Sequence, residues 1–159
     1  LLASNLARMS VDTSQVGQMM KQVVPWVRTN GIEFVETTPE RVVVTLEDTE
    51  DARNHVGGPH AAMMFGAAET ASGALVLAAF SAQLAIAVPL PTKGQIGFYK
   101  LALGKLTATA TLGRPAEEAI AELESGTRPD IPVHVEITNA DGLVTGGLDI
   151  IWTLKPHDK

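Results

Sequence analysis

Hydrophobic positions along this chain switch between a helical and an alternating period, and the switches mark its elements. After Thr13 or Ser14, either of which can cap a helix, Val16, Met19, Met20, Val23 and Val24 recur at helical spacing, which predicts a helix over about 13–24. Pro25 interrupts it, and Asn30-Gly31 makes a stop. Ile32–Thr37 and Arg41–Leu46 read as two β-strands around the turn Thr38-Pro39-Glu40. The stretch over about 59–80 is apolar on every side and rich in Ala, Gly and Met, which predicts one long buried helix.

The β pattern then returns. Leu84–Val88 is a short apolar run ended by Pro89-Leu90-Pro91, and Gly94–Ala102 reads as a strand. Lys105–Leu112 alternates, with Leu106, Ala108 and Ala110 on one face and Thr107, Thr109 and Thr111 on the other. A short surface helix is expected over about 115–125, bounded by Pro115 and Gly126, its Glu117, Glu118, Glu122 and Glu124 forming a solvated face. Val133–Thr138 alternates, Asn139–Gly142 turns, and Leu143–Leu154 closes the chain with Leu148, Ile150, Trp152 and Leu154 on one face. One apolar helix beside this many strands implies an α+β architecture, an antiparallel sheet wrapped around the helix. At 159 residues the chain is expected to form a single domain.

Charge changes the picture at one place. Between Arg53 and Lys93 the only formally charged side chain is Glu69, set within the long apolar helix. Burying a carboxylate costs free energy because its charged form loses water, so the position asks for a chemical reason. The helix approaches the length of a membrane span, but Glu69, Thr70 and Ser72 near its middle argue against insertion. No basic start leads into a continuous apolar run, and the chain reads as soluble and cytoplasmic. A net charge of −6 without a basic block argues against nucleic acid as a partner. Absence of cysteine excludes disulfides and thiolate chemistry, and the His and acidic residues show no metal-ligand spacing. No cofactor is expected.

Chemistry concentrates in Asn54-His-Val-Gly-Gly-Pro-His-Ala-Ala-Met-Met-Phe-Gly-Ala-Ala-Glu69. Pro59 suits the first position of the helix, which would leave the amides of His60, Ala61 and Ala62 without intrahelical acceptors at the positive end of the dipole. Such amides stabilise an oxyanion, and the small side chains of Ala61 and Ala62 let a substrate oxygen approach. Glu69 lies roughly 13 Å further along the axis from His60, beyond the ~3.5 Å that a shared reacting centre requires. If the two cooperate, the carboxylate comes from another copy of the chain, so an obligatory dimer is expected.

The pattern Asn54-x-x-Gly57-x-x-His60, with Glu69 nine residues after the histidine, resembles hotdog-fold acyl-CoA thioesterases, most closely the phenylacetic-acid-pathway type and its uncharacterised relatives. That resemblance, covering about Gly31 to Lys155, implies a hotdog fold and hydrolysis of a thioester of coenzyme A or acyl carrier protein by a homodimer or homotetramer. It implies that Glu69 is base or nucleophile, that the Ala61 amide polarises the carbonyl, that Asn54 holds the carbonyl or the water, and that His60 is a helix-start residue. Gly57 shapes the loop, beside Gly58 and Ala62. The chain departs from the family's pattern in having Ala61-Ala62 where Gly-Gly is usual and Gly73 where some relatives carry a water-orienting hydroxyl; Ser72 and Thr70 are the candidate substitutes, and neither matches that position. Lys93 and Lys100, with Lys105 and Arg114, are candidates for the coenzyme phosphates. Two alternatives use the same fold. A dehydratase would pair His55 with Glu69, and a non-catalytic acyl-CoA-binding protein would keep the pocket without turnover.

Overall fold

The computed structural model describes residues 12–158. The first helical stretch divides into three parts. Asp12 caps a short 3₁₀ turn over Thr13–Gln15 by accepting from the Ser14 amide, and α1 follows over Val16–Val23. Val24 is extended, and α2 (Pro25–Thr29) starts afresh with Pro25 at its first position, where a missing N–H costs nothing. The predicted helix over 13–24 is thus shorter, with a second helix behind it.

Strands β1 (Glu33–Thr37) and β2 (Val42–Leu46) form a hairpin, and α3 (Ala61–Ala79) follows. A 3₁₀ turn over Ser81–Ala85 occupies part of the apolar run expected to be extended. Strand β3 (Ala87–Phe98) then runs straight through Pro89 and Pro91. Strand β4 (Leu106–Leu112), helix α4 (Ala116–Glu124), β5 (Asp130–Thr138) and β6 (Val144–Pro156) complete the order. The six strands form one antiparallel sheet in the order β1-β2-β4-β5-β6-β3.

The sheet wraps α3, which is the hotdog arrangement. Alternate residues of the central strands, such as Val44, Ala108, Val135 and Leu148, are fully or almost fully buried against the helix. Ala67, Ala68, Ala71 and Ala74 present a small-residue surface that lets the sheet close on α3. By length and composition alone α3 could cross a membrane, yet most of it is buried inside this fold.

Two features of β3 bear on function. It is an edge strand, paired with β6 on one side only, and most of its residues are exposed. A bulge between Pro91 and Lys93 adds Thr92, whose hydroxyl donates to the Ile151 carbonyl (3.2 Å) and re-aims the neighbouring residues.

Candidate active site

The loop before α3 is organised by Asn54. Its Oδ1 accepts from the amides of Val56 (3.0 Å) and Gly58 (3.3 Å), and its Nδ2 donates to the Pro59 carbonyl (3.1 Å). Gly57 turns the chain with φ of 80°, a conformation other residues adopt at a cost. Gly58 serves close approach: a Cβ there would stand 2.5 Å from the Ala102 carbonyl oxygen. The loop is thereby pinned against the connection between β3 and β4.

The helix start differs from the expected one. Pro59 lies outside α3 and His60 is its N-cap. The His60 amide donates to the Ala52 carbonyl (2.7 Å), and His60 Nδ1 accepts from the Ala62 amide (3.0 Å). Of the three amides expected to be free, only that of Ala61 has no acceptor among the described residues, and Ala61 is exposed. The imidazole consumes one donor and leaves one, which narrows the oxyanion-binding capacity to a single, defined N–H.

Glu69 is half-buried two turns further on, and its carboxylate accepts no hydrogen bond among the described residues. Desolvation by burial pushes its carboxyl above the ordinary carboxylate range. The glycines one turn to either side each hold an indole against the helix. A Cβ at Gly66 would overlap the Trp26 ring, and one at Gly73 would stand 3.1 Å from Cη2 of Trp152. Gly73 is therefore the seat of Trp152. The hydroxyl of fully buried Ser72 is already committed, donating to the Glu69 carbonyl (2.7 Å) and accepting from Trp152 Nε1 (2.9 Å). Thr70, not Ser72, shares the cavity with Glu69.

The candidate residues divide between two cavities. One, of about 790 Å³, holds Glu69, Thr70, Gly73, Lys93 and Ala62 beneath α1 and α2. The other, of about 450 Å³, holds Asn54, Ala61 and Lys100 with Tyr99 and Ala102. On one chain the carboxylate and the free amide therefore do not meet, as the spacing along the helix requires. His55 is exposed on the loop and does not line the Glu69 cavity, so these two residues do not meet on one chain either. Arg114 is held by a bidentate pair with Glu122 (2.8 and 2.9 Å) at the surface of α4. Lys105 pairs with Glu47 at 2.6 Å. Sequence reasoning missed Trp26 and Tyr99, whose only signal was aromatic character in a chain with few aromatic residues, whereas Phe65, expected as core or pocket lining, does line the Glu69 cavity. Among the described residues no group of His, Asp and Glu is placed to hold a metal ion.

The family described as "Domain of unknown function (DUF4442)" matches residues 13–154. Among solved structures, the chain is similar to PA5026 of Pseudomonas aeruginosa, a protein of unknown function described as a probable thioesterase: 21% identity, TM-score 0.82, covering 94% of this chain and 99% of that one. It is similar to a thioesterase family protein from Silicibacter pomeroyi at 17% identity and TM-score 0.72, covering 91% and 99%. It is also similar to the PaaI protein of the E. coli phenylacetic acid degradation operon, at 17% identity and TM-score 0.69, covering 96% and 95%. No curated protein matches the sequence.

Proposed function

The chain belongs to the DUF4442 family and has the hotdog fold, and from the division of its candidate site we propose that it hydrolyses an acyl thioester at a site shared by two copies. The observation that carries this reading is the pairing of an uncompensated, half-buried carboxylate with one unclaimed helix-start amide, too far apart along α3 to serve one substrate alone. The exposed edge of β3 offers the surface on which a second copy would pair its own strand and bring its Glu69 to the first copy's Ala61.

In the proposed reaction the Ala61 N–H donates to the thioester carbonyl oxygen and stabilises its developing charge. Glu69 of the other copy takes a proton from water as the water oxygen bonds to the carbonyl carbon. Collapse of the tetrahedral intermediate breaks the C–S bond, and the Glu69 carboxyl returns the proton to the departing thiolate, leaving a free acid and a free thiol. The upward displacement of the Glu69 carboxyl by burial suits a base that works near neutral pH. Asn54 acts here by fixing the loop, since its Oδ1 is occupied twice; one Nδ2 hydrogen remains for the substrate. Lys93 lines one cavity and Lys100 the other, and on this reading they meet the anionic part of coenzyme A or of an acyl carrier protein.

The test is thiol release from short, medium, long and aryl acyl-CoAs, wild type beside Glu69→Gln. Release by wild type that vanishes in the variant supports the proposal. An equally active variant overturns it, and ligand-dependent thermal stabilisation without any release would identify a binder instead.

A further inference from the structure

Trp26 reaches α3 from α2, and what it covers there follows from helix geometry. Val24 is extended and Pro25 restarts the chain as α2, while Asn30 Nδ2 donates to the Trp26 carbonyl (2.8 Å) and pins that residue's backbone. The indole is seated on Gly66, where a Cβ would overlap Cη2 and stand 2.6 Å from Cζ2 and 3.0 Å from Cζ3. These atoms belong to the hydrocarbon half of the indole, so the edge set on the helix carries no donor. Side chains of a helix lean toward its N-terminus and cover the turn before their own Cα. Gly66 is three residues before Glu69, so the Glu69 side chain leans toward the seat of Trp26. Trp152 rests on Gly73, one turn after Glu69, on the side from which that side chain leans away. Both indoles line the cavity with Glu69. Among the described residues Lys93 of β3 is the one other charged group that lines it, and α1, α2 and β6 bring none. Burial is the cause that raises the Glu69 carboxyl.

Resting on the thioesterase reading, we propose that Trp26 is a positioning residue for Glu69: its indole, seated on Gly66, lies along the Glu69 side chain and shields the carboxylate from water on the α2 side. The role passes through Glu69 and asks nothing of the acyl group. Trp26 is itself 39% exposed, so the shield is part of the outer wall and its removal admits water directly.

The experiment follows the Glu69 carboxyl by carbon NMR in the full chain with labelled glutamate, its signal identified by its absence from Glu69→Gln. In wild type the titration midpoint lies above the ordinary carboxylate range. Trp26→Ala, which removes the indole, and Gly66→Ala, which displaces it, each lower the midpoint, and Trp26→Phe retains most of the elevation. Gly66→Ala adds nothing further in a Trp26→Ala chain, because no indole remains to displace. Trp152→Phe leaves the midpoint near that of wild type. An unraised midpoint in wild type overturns the proposal, as does one unchanged in both Trp26→Ala and Gly66→Ala. So does a fall in Trp152→Phe as large as that in Trp26→Ala. Thiol release is scored separately. Midpoints that move in a chain releasing no thiol support the shield and count against hydrolysis, whereas release with unmoved midpoints counts against the shield alone.

Discussion

Glu69 lines a cavity with two indoles and its carboxylate has no hydrogen-bond partner among the described residues, and the consequence reaches stability as well as chemistry. Its folded-state pKa lies above the ordinary carboxylate value, so between those two values the native state binds more protons than the unfolded chain. Stability on this account is greatest below the ordinary range and falls as the pH rises through the raised value. Glu69→Gln removes that pH-dependent cost. Thermal melts should find the variant at least as stable as wild type at neutral pH, with the difference shrinking toward about pH 4. A variant less stable at neutral pH would mean that the carboxylate holds a structural bond. Gly58 gives the opposite kind of prediction. Gly58→Ala pushes a methyl group against the Ala102 carbonyl and should cost about 1–3 kcal/mol in chemical denaturation, with a change below a few tenths contradicting the tight approach.

At the level of elements, α3 offers an unusually clean substitution. Ala61 is the first helical residue and His60 before it is extended (φ −60°, ψ 143°), which is the backbone a following proline demands. Ala61→Pro therefore deletes the free N–H while leaving the helix able to form. Turnover of whichever acyl-CoA wild type cleaves should fall about 10²–10³-fold with the melting temperature nearly unchanged; undiminished turnover would remove the amide from the mechanism. The same helix shows what its residues disclose in sequence. Its existence, length and buried carboxylate were legible, because an all-apolar run with one charge has few structural outcomes. Its start was not, because Pro59 is acceptable at a first helical position and His60 is an uncommon cap that a spacing rule does not single out. Pro89 and Pro91 misled for a related reason. They read as the end of a strand, yet β3 lies at the sheet edge, where a residue without an N–H forfeits no ladder bond.

Across the whole molecule, the antiparallel sheet and the helix it wraps follow from alternating strands and one apolar helix, and both were readable from the pattern. The partition of the candidate residues was readable in part. The distance between Glu69 and the start of α3 follows from helical rise alone, but which residues join each of them does not. Trp26 meets Gly66, and Lys100 joins Asn54, through contacts between elements far apart in the chain, which local periodicity does not encode. Catalysis on this account belongs to an assembly, with each copy giving a carboxylate to one site and an amide to the other. The most direct measurement mixes Glu69→Gln with Ala61→Pro chains, unfolded and refolded together, and follows thiol release. Each mixed dimer then contains one doubly defective and one intact site, so an equal mixture of two inactive variants should recover about a quarter of wild-type activity. No recovery from a mixture that demonstrably forms mixed dimers would contradict a shared site.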